Sequence, residues 1–212
     1  MKKLTEDKVQ AIFPAADSHH VEEFTNLFNE YALLFGFEKE VHINFFLAQL
    51  KEEVGSSLHP RRENLNYSCK ALKQLFSYYK KHPKEAEQDG RCNGHKANQK
   101  AIANKVYHKR IGNTVFGHGH RYRGGGYIQL TGLDNYTKAS EVITIATGEL
   151  WTPEDVEHEI DTVKGALLTA MAFWSWNKLW KCENIDCVTA KVNKHTKSYA
   201  KRKKHYKYIA SL

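Results

Sequence analysis

Residues 166–174, ALLTAMAFW, are the most apolar stretch of this chain, and they limit what it can become. They fall far short of the ~20 residues that a membrane-crossing helix requires, and Lys164 and Asn177 flank them. A helix that is apolar on every face is stable only when other elements cover it. Residues 162–180 are therefore expected to form a central buried helix whose aromatic side chains serve the core. The chain has 212 residues, 41% of them hydrophobic, enough to enclose such a helix in one domain spanning 1–212. Neither an internal repeat nor a Pro- or Ser-rich linker divides it.

The surrounding pattern predicts a mainly α chain of the α+β class. Residues 5–13 form a short helix that stops at Pro14. Asp17 and Ser18 cap a longer one running to Gly36. In residues 42–54, HINFFLAQLKEEV, the side chains Ile43, Phe46, Leu47, Leu50 and Val54 recur at helical spacing. Residues 66–81 read as one amphipathic helix carrying Leu72, Leu75, Phe76 and Tyr79 on one side, residues 83–98 as a polar surface loop, and residues 98–110 as helix again. Six glycines in residues 112–126 argue against a stable helix there, and the following YIQLT has the β-branched and aromatic mix of a short strand. Thr152 and Pro153 open a further helix.

Two glutamates ten residues apart carry the chemical signal. Glu53 sits at the edge of the apolar stripe, while Glu52 points the other way. A carboxyl group against apolar walls resists ionisation, so Glu53 is expected to stay protonated and to donate a proton to a leaving group. Glu63, in a polar Arg61-Arg62-Glu63-Asn64 turn, is expected to be a solvated carboxylate and a base. Two carboxyl groups in unlike settings suit acid/base catalysis. The plainer reading is a helix glutamate paired with Arg61, Arg62 or a lysine.

Four blocks decide between these readings: FFLAQLKEEVG (45–55), RRENLNYS (61–68), IANKVYHKRIGN (102–113) and YRGGGYIQLTGLDNY (122–136). In order and spacing they resemble glycoside hydrolase family 19, the chitinases and the phage endolysins related to them, and the short spacing between the two glutamates matches the endolysin branch. The resemblance covers most of the chain, from about residue 18 to about residue 206. It implies a lysozyme-like helical domain with a small β element beside the cleft, Glu53 as general acid and Glu63 as the base that activates water. It further implies that Thr131 helps hold that water, and that Tyr122, Gln129 and Asn135 contact the saccharide. CVTAKVN (187–193) resembles the family's Val-Thr-x-x-Ile-Asn segment, which places a cleft asparagine on Asn193 and a charge-network arginine on Arg202. The sequence departs from the family at three points. The His-Glu-Ser triplet is Glu52-Glu53-Val54; Gly-Arg-Gly is Gly124-Gly125-Gly126, leaving Arg121 and Arg123 as candidates to compensate; and Lys194 follows Asn193 in place of glycine.

An inverting glycosidase must leave roughly 6.5–9.5 Å between its carboxyl groups for a water. The expected activity is hydrolysis of the β-1,4 bond between the amino sugars of peptidoglycan. Chitin hydrolysis is the nearest alternative, and a catalytically silent saccharide- or nucleic-acid-binding module the more distant one. The expected partner is bacterial wall peptidoglycan, with no separate wall-binding module, and the protein is expected to act as a monomer. A net charge of +8 favours anionic polymers. Lys191, Lys194, Lys197, Lys201, Arg202, Lys203, Lys204 and Lys207 concentrate it near the end of the sequence, either as a solvated helix face or as a contact to the anionic envelope. Lys2 and Lys3 are followed by no apolar signal core. The expectation is synthesis in the cytoplasm and access to the wall through a holin pore or another export route.

Cys69, Cys92, Cys182 and Cys187 form no Cys-x-x-Cys pair, so free thiols are the default, with a Cys182–Cys187 bridge open to an oxidising space. His118, His120, Cys92 and His95 match no standard zinc spacing. The segment Arg123-Gly124-Gly125-Gly126-Tyr127 lacks the Gly-Lys-Ser/Thr ending of a phosphate loop. No metal, nucleotide or other cofactor is expected.

Overall fold

The computed structural model describes residues 3–92 and 94–212, so part of the Lys2-Lys3 pair and Asn93 of the expected 83–98 loop lie outside the described residues. Helix accounts for 63% of the described residues and β-bridge residues for 3%, so the protein is mainly α, as the pattern predicts. It gathers into two compact units: residues 1–61, 126–128 and 138–212 form the first, and residues 62–125 and 129–137 the second.

The first unit begins with α1 (Glu6–Ile12), whose N-cap is Thr5, and α2 (Ser18–Tyr31), whose N-cap Asp17 accepts from the backbone of His19 and His20. A 3-10 turn, Ala32–Phe35, carries the chain to Gly36 at φ 87°. In α3 (Glu40–Val54) every residue from His42 to Leu50 is buried, as are the five side chains of the predicted stripe. The predicted central helix is α11 (Val163–Trp176), capped by the Thr162 side chain, with ten of its residues buried. It ends four residues earlier than the pattern suggests, because Asn177 caps it and Lys178 turns left-handed at φ 51°. Its Trp174 stacks on Phe37 at 4.8 Å between ring centroids, and Phe28 and Phe46 close the same aromatic core. α10 (Pro153–Glu159) opens with a Thr152/Asp155 capping box. α12 (Ile185–Asn193) and the basic α13 (Tyr199–Ser211) complete the unit, and α13 packs along α3.

The second unit replaces the expected single helix over 66–81 with α4 (Cys69–Leu75) and α5 (Ser77–Lys81). The break is at Phe76, which is extended at φ −110°, ψ 126° and sets its ring edge-on against Tyr67. Leu72 and Tyr79 are buried, whereas Leu75 is exposed. The expected 83–98 loop is part helix: α6 (Pro83–Asp89) uses Pro83 at its first turn, where a missing N–H costs nothing. α7 (Gln99–Val106) is capped by Asn98. A core of Leu65, Leu72, Tyr79, Ala86, Ile102, Ala103 and Val106 joins these helices. The glycine-rich stretch does hold one helical turn, α8 (His118–Arg121). Gly119 permits it, since a Cβ there would lie 2.5 Å from the Ala103 carbonyl oxygen.

The strand expected at YIQLT is absent. Gly125 and Leu130 form a single antiparallel bridge, and residues 126–129 turn between them, with Gly126 at φ 76° and Gln129 at φ 55°. Among the described residues, β structure consists of isolated bridges alone. α9 (Leu133–Thr147) starts in the second unit and continues in the first. No helix among the described residues is long and apolar enough to cross a membrane.

The cysteines correct the free-thiol expectation. Cys69 pairs with Cys92 and Cys182 with Cys187, at Cα separations of 5.9 and 5.5 Å, inside the span a disulfide bridges. The first bridge ties the start of α4 to the residues after α6, a proximity that a spacing of 23 residues does not reveal. It also occupies Cys92 of the set weighed for zinc. Among the described residues no group of three His, Cys, Asp or Glu side chains gathers around a common point.

Candidate active site

In the first unit the last turn of α3 presents both Glu52 and Glu53 to α13, so the expectation that Glu52 points the other way is corrected. Glu52 pairs with Lys201 at 3.0 Å and with His205 at 3.2 Å. Glu53, its side chain 22% exposed, accepts from Arg202 Nη2 at 2.5 Å. The apolar wall expected beside Glu53 is thus a guanidinium. Arg202 is 2% exposed. It also donates from Nη1 to Gln49 Oε1 at 2.5 Å and from Nε to Ser198 Oγ at 2.9 Å. The Gln49 amide in turn donates to Thr189 Oγ1 at 3.1 Å. The motifs marked Glu53 and Arg202 separately, as an acid and a charge-network arginine, without pairing them, and Gln49 and Thr189 were not singled out. The available signal was the place of Gln49 in the first motif block, one helical turn before Glu53. Asn193, the last residue of α12, is exposed and takes no part in these bonds.

In the second unit Glu63 follows α3 on an extended segment rather than a turn, and its backbone N–H donates to Gly124 O at 2.8 Å. The carboxylate is half-buried, and the Tyr107 hydroxyl at the end of α7 reaches both its oxygens, at 2.7 and 2.8 Å. Burial, and then the bond to Glu63, pushes the Tyr107 phenol above its ordinary value. Tyr107 was not singled out in the sequence, although it lies inside the third motif block.

Gly124 gathers the remaining polar groups. A Cβ there would lie 3.0 Å from Gln129 Oε1, 3.3 Å from Glu63 Cβ and 3.3 Å from Thr131 Oγ1. Glu63, Gln129 and Thr131 therefore meet around a residue that has no side chain. The left-handed Gln129 backbone turns its carbonyl to accept from Thr131 Oγ1 at 2.9 Å, and Asn135 Nδ2 holds the Thr131 carbonyl at 2.7 Å. A recess of about 430 Å³ opens beside Glu63, lined by Arg62, Asn64, Gln99, His120 and Arg123.

Tyr122 is a correction. It is 1% exposed and packs edge-on against Tyr136 and His118, so its ring offers no face to a sugar. Tyr127 is fully buried on Phe24, with its hydroxyl 3.0 Å from His20 Nε2.

No family model matches the chain. A curated protein of Haemophilus influenzae, a glycosyl hydrolase family 19 domain-containing protein, is 33% identical over 166 residues, covering 77% of this chain and 76% of that protein. The chain belongs to glycoside hydrolase family 19. Its two motif carboxylates, Glu53 and Glu63, each accept a short bond, one from a buried arginine and one from a phenol. In this family 19 chain the plainer reading, a salt-bridged helix glutamate, holds for Glu52 as well, so ion pairing alone does not separate the neighbours. The partners differ in burial: the Glu53 partner Arg202 has a side chain 3% exposed, against 64% for Lys201 and 19% for His205 beside Glu52.

Proposed function

We propose that this family 19 protein is a peptidoglycan hydrolase of the endolysin type, cleaving the β-1,4 bond between the wall's amino sugars with inversion. The observation that carries the reading is that both carboxylates at the motif positions are partly open and oriented by one strong donor each. Glu53 is assigned as the acid that protonates the glycosidic oxygen. Glu63 is assigned as the base that draws a proton from water, with Thr131 holding that water and Gln129 and Asn135 fixing Thr131. A buried guanidinium and a partly buried phenol hold the two carboxyl groups without further reorganisation, which is the benefit of preorganised polar groups.

The wall is favoured over chitin by charge. Lys201, Arg202 and Lys203 are paired with Glu52, Glu53 and Asp186. Lys194, Lys197, Lys204 and Lys207 remain exposed and without an ion pair among the described residues. They would face the anionic polymers of an envelope. Two disulfides fit a protein that is made in the cytoplasm and does its work in an oxidising space after export.

The test incubates the wild type, Glu53→Gln and Glu63→Gln with outer-membrane-stripped bacterial cells and with chitin oligomers, reading turbidity and new reducing ends. Lysis by the wild type, lost in both variants, is expected. Cleavage of chitin alone would make the protein a chitinase, and cleavage of neither would leave a binding role.

A further inference from the structure

Gln49 and Glu53 are four residues apart on α3, so their side chains rise from one face of the helix. Both accept from the same guanidinium, each at 2.5 Å, and the Nε of that guanidinium is taken by Ser198. A planar fork with three directions occupied has one orientation open to it. Gln49 is 3% exposed, Arg202 2% and Thr189 0%, so the bonds among these three lie away from solvent.

The amide of Gln49 carries an acceptor at one end and donors at the other, and Arg202 can use only the acceptor. Thr189 Oγ1, on α12, takes the donor end at 3.1 Å. With the amide reversed, its NH₂ would face the guanidinium and two donors would meet in a buried site, so the donor-only Arg202 selects the end of Gln49 that it meets. The Thr189 hydroxyl anchors the other end and keeps the amide in place, and Arg202 in turn holds the Glu53 carboxyl. We infer that Gln49 and Thr189 are positioning residues for the acid, acting in series through Arg202. This rests on the reading of Glu53 as that acid.

The test measures kcat, KM and Tm for the full chain and for Gln49→Leu, Thr189→Val, Thr189→Ser, the Gln49→Leu/Thr189→Val double variant and Glu53→Gln, on soluble peptidoglycan fragments. Loss of a partner that orients a catalytic group typically costs about 10- to 100-fold. Gln49→Leu and Thr189→Val should lower kcat by that factor with KM within about twofold. Thr189→Ser, which keeps the hydroxyl, should restore kcat to near the wild-type value, and the double variant should be no slower than Gln49→Leu alone. If Gln49→Leu does not fold, the Val and Ser substitutions at Thr189, close in volume, decide the matter. Wild-type kcat in Thr189→Val, equal loss in Val and Ser, or multiplicative losses in the double variant would each overturn the inference while Glu53→Gln is inactive. An active Glu53→Gln would instead remove the reading on which it rests, and the inference with it.

Discussion

Tyr107→Phe removes one oxygen and leaves the ring in place, so it isolates the bond that fastens Glu63. A hydrogen bond to a charged group contributes about 1.5–3 kcal/mol. Glu63 is half-buried, which points to the lower end, about 1.5 kcal/mol. For a chain of this size that corresponds to a fall in Tm of about 3–6 °C. If Glu63 is the base, as proposed above, turnover should suffer more than stability, because its carboxylate is no longer held at both oxygens; kcat should fall about tenfold with KM little changed. A second readout separates the bond from simple packing. Tyr107 is raised above 10.0 in the folded protein, first by burial and then by Glu63. A raised folded value means that the folded state holds the proton longer, so this stabilisation is complete below pH 10 and is lost as pH rises beyond it. The Phe variant has no such proton, and its stability should decline less steeply above pH 10. Thermal unfolding from pH 7 to 11, with lysis assays at neutral pH, gives all three quantities. An unchanged Tm together with an unchanged alkaline slope would mean the bond is not made in solution. A lower Tm with wild-type kcat would show that Glu63 needs no such holding, and would remove the support for its role as base.

Glu52→Gln should keep lysis within about threefold of wild type, since its partner Lys201 is exposed and such pairs contribute about 0–1 kcal/mol; Glu53→Gln should abolish it, and equal losses would erase the distinction between the neighbours. Burial lowers the His205 value despite the opposing pull of Glu52, so its contribution to stability is present above pH 6.5 and is lost as pH falls; His205→Gln should flatten the acid limb of urea-unfolding midpoints measured from pH 7 to 5. Removing Cys69–Cys92 by serine substitution should cost about 3 kcal/mol and removing Cys182–Cys187 about 2 kcal/mol by loop entropy, a difference that thermal unfolding of the two double-serine variants would expose. Replacing Lys204 and Lys207 together by Ala should weaken retention on envelopes at low salt and leave hydrolysis of soluble fragments within about twofold, and equal loss in both assays would count against an envelope contact.

The helices that the sequence made legible are those with a strong period and a cap. The apolar stripe of α3, the Asp17 cap and the Thr162–Gly165 cap of α11 all specify their elements locally. Phe76 shows where local pattern fails: its extended backbone splits one predicted helix into two because its ring finds Tyr67, a contact with no periodic trace. YIQLT fails for a related reason. Its β-forming side chains are drawn into a turn because Tyr127 is buried on Phe24. At the candidate site, motif order marked Glu53, Glu63, Thr131 and Arg202, since residue identity at a fixed spacing is readable in the sequence. The setting of each did not. Glu53 faces a guanidinium where apolar walls were expected, Glu63 is gripped by a tyrosine 44 residues away, and the aromatic chosen as a sugar platform lies in the core.

The cysteines are paired in the order in which they occur, first with second and third with fourth. Four cysteines admit three pairings, and this is the one in which neither loop encloses or crosses the other. Each bridge can close using only chain that has already arrived, without waiting for a later cysteine. For a protein threaded N-terminus first into an oxidising space, each thiol would then meet its own partner before any competitor emerges, and correct pairing would follow from the order of delivery.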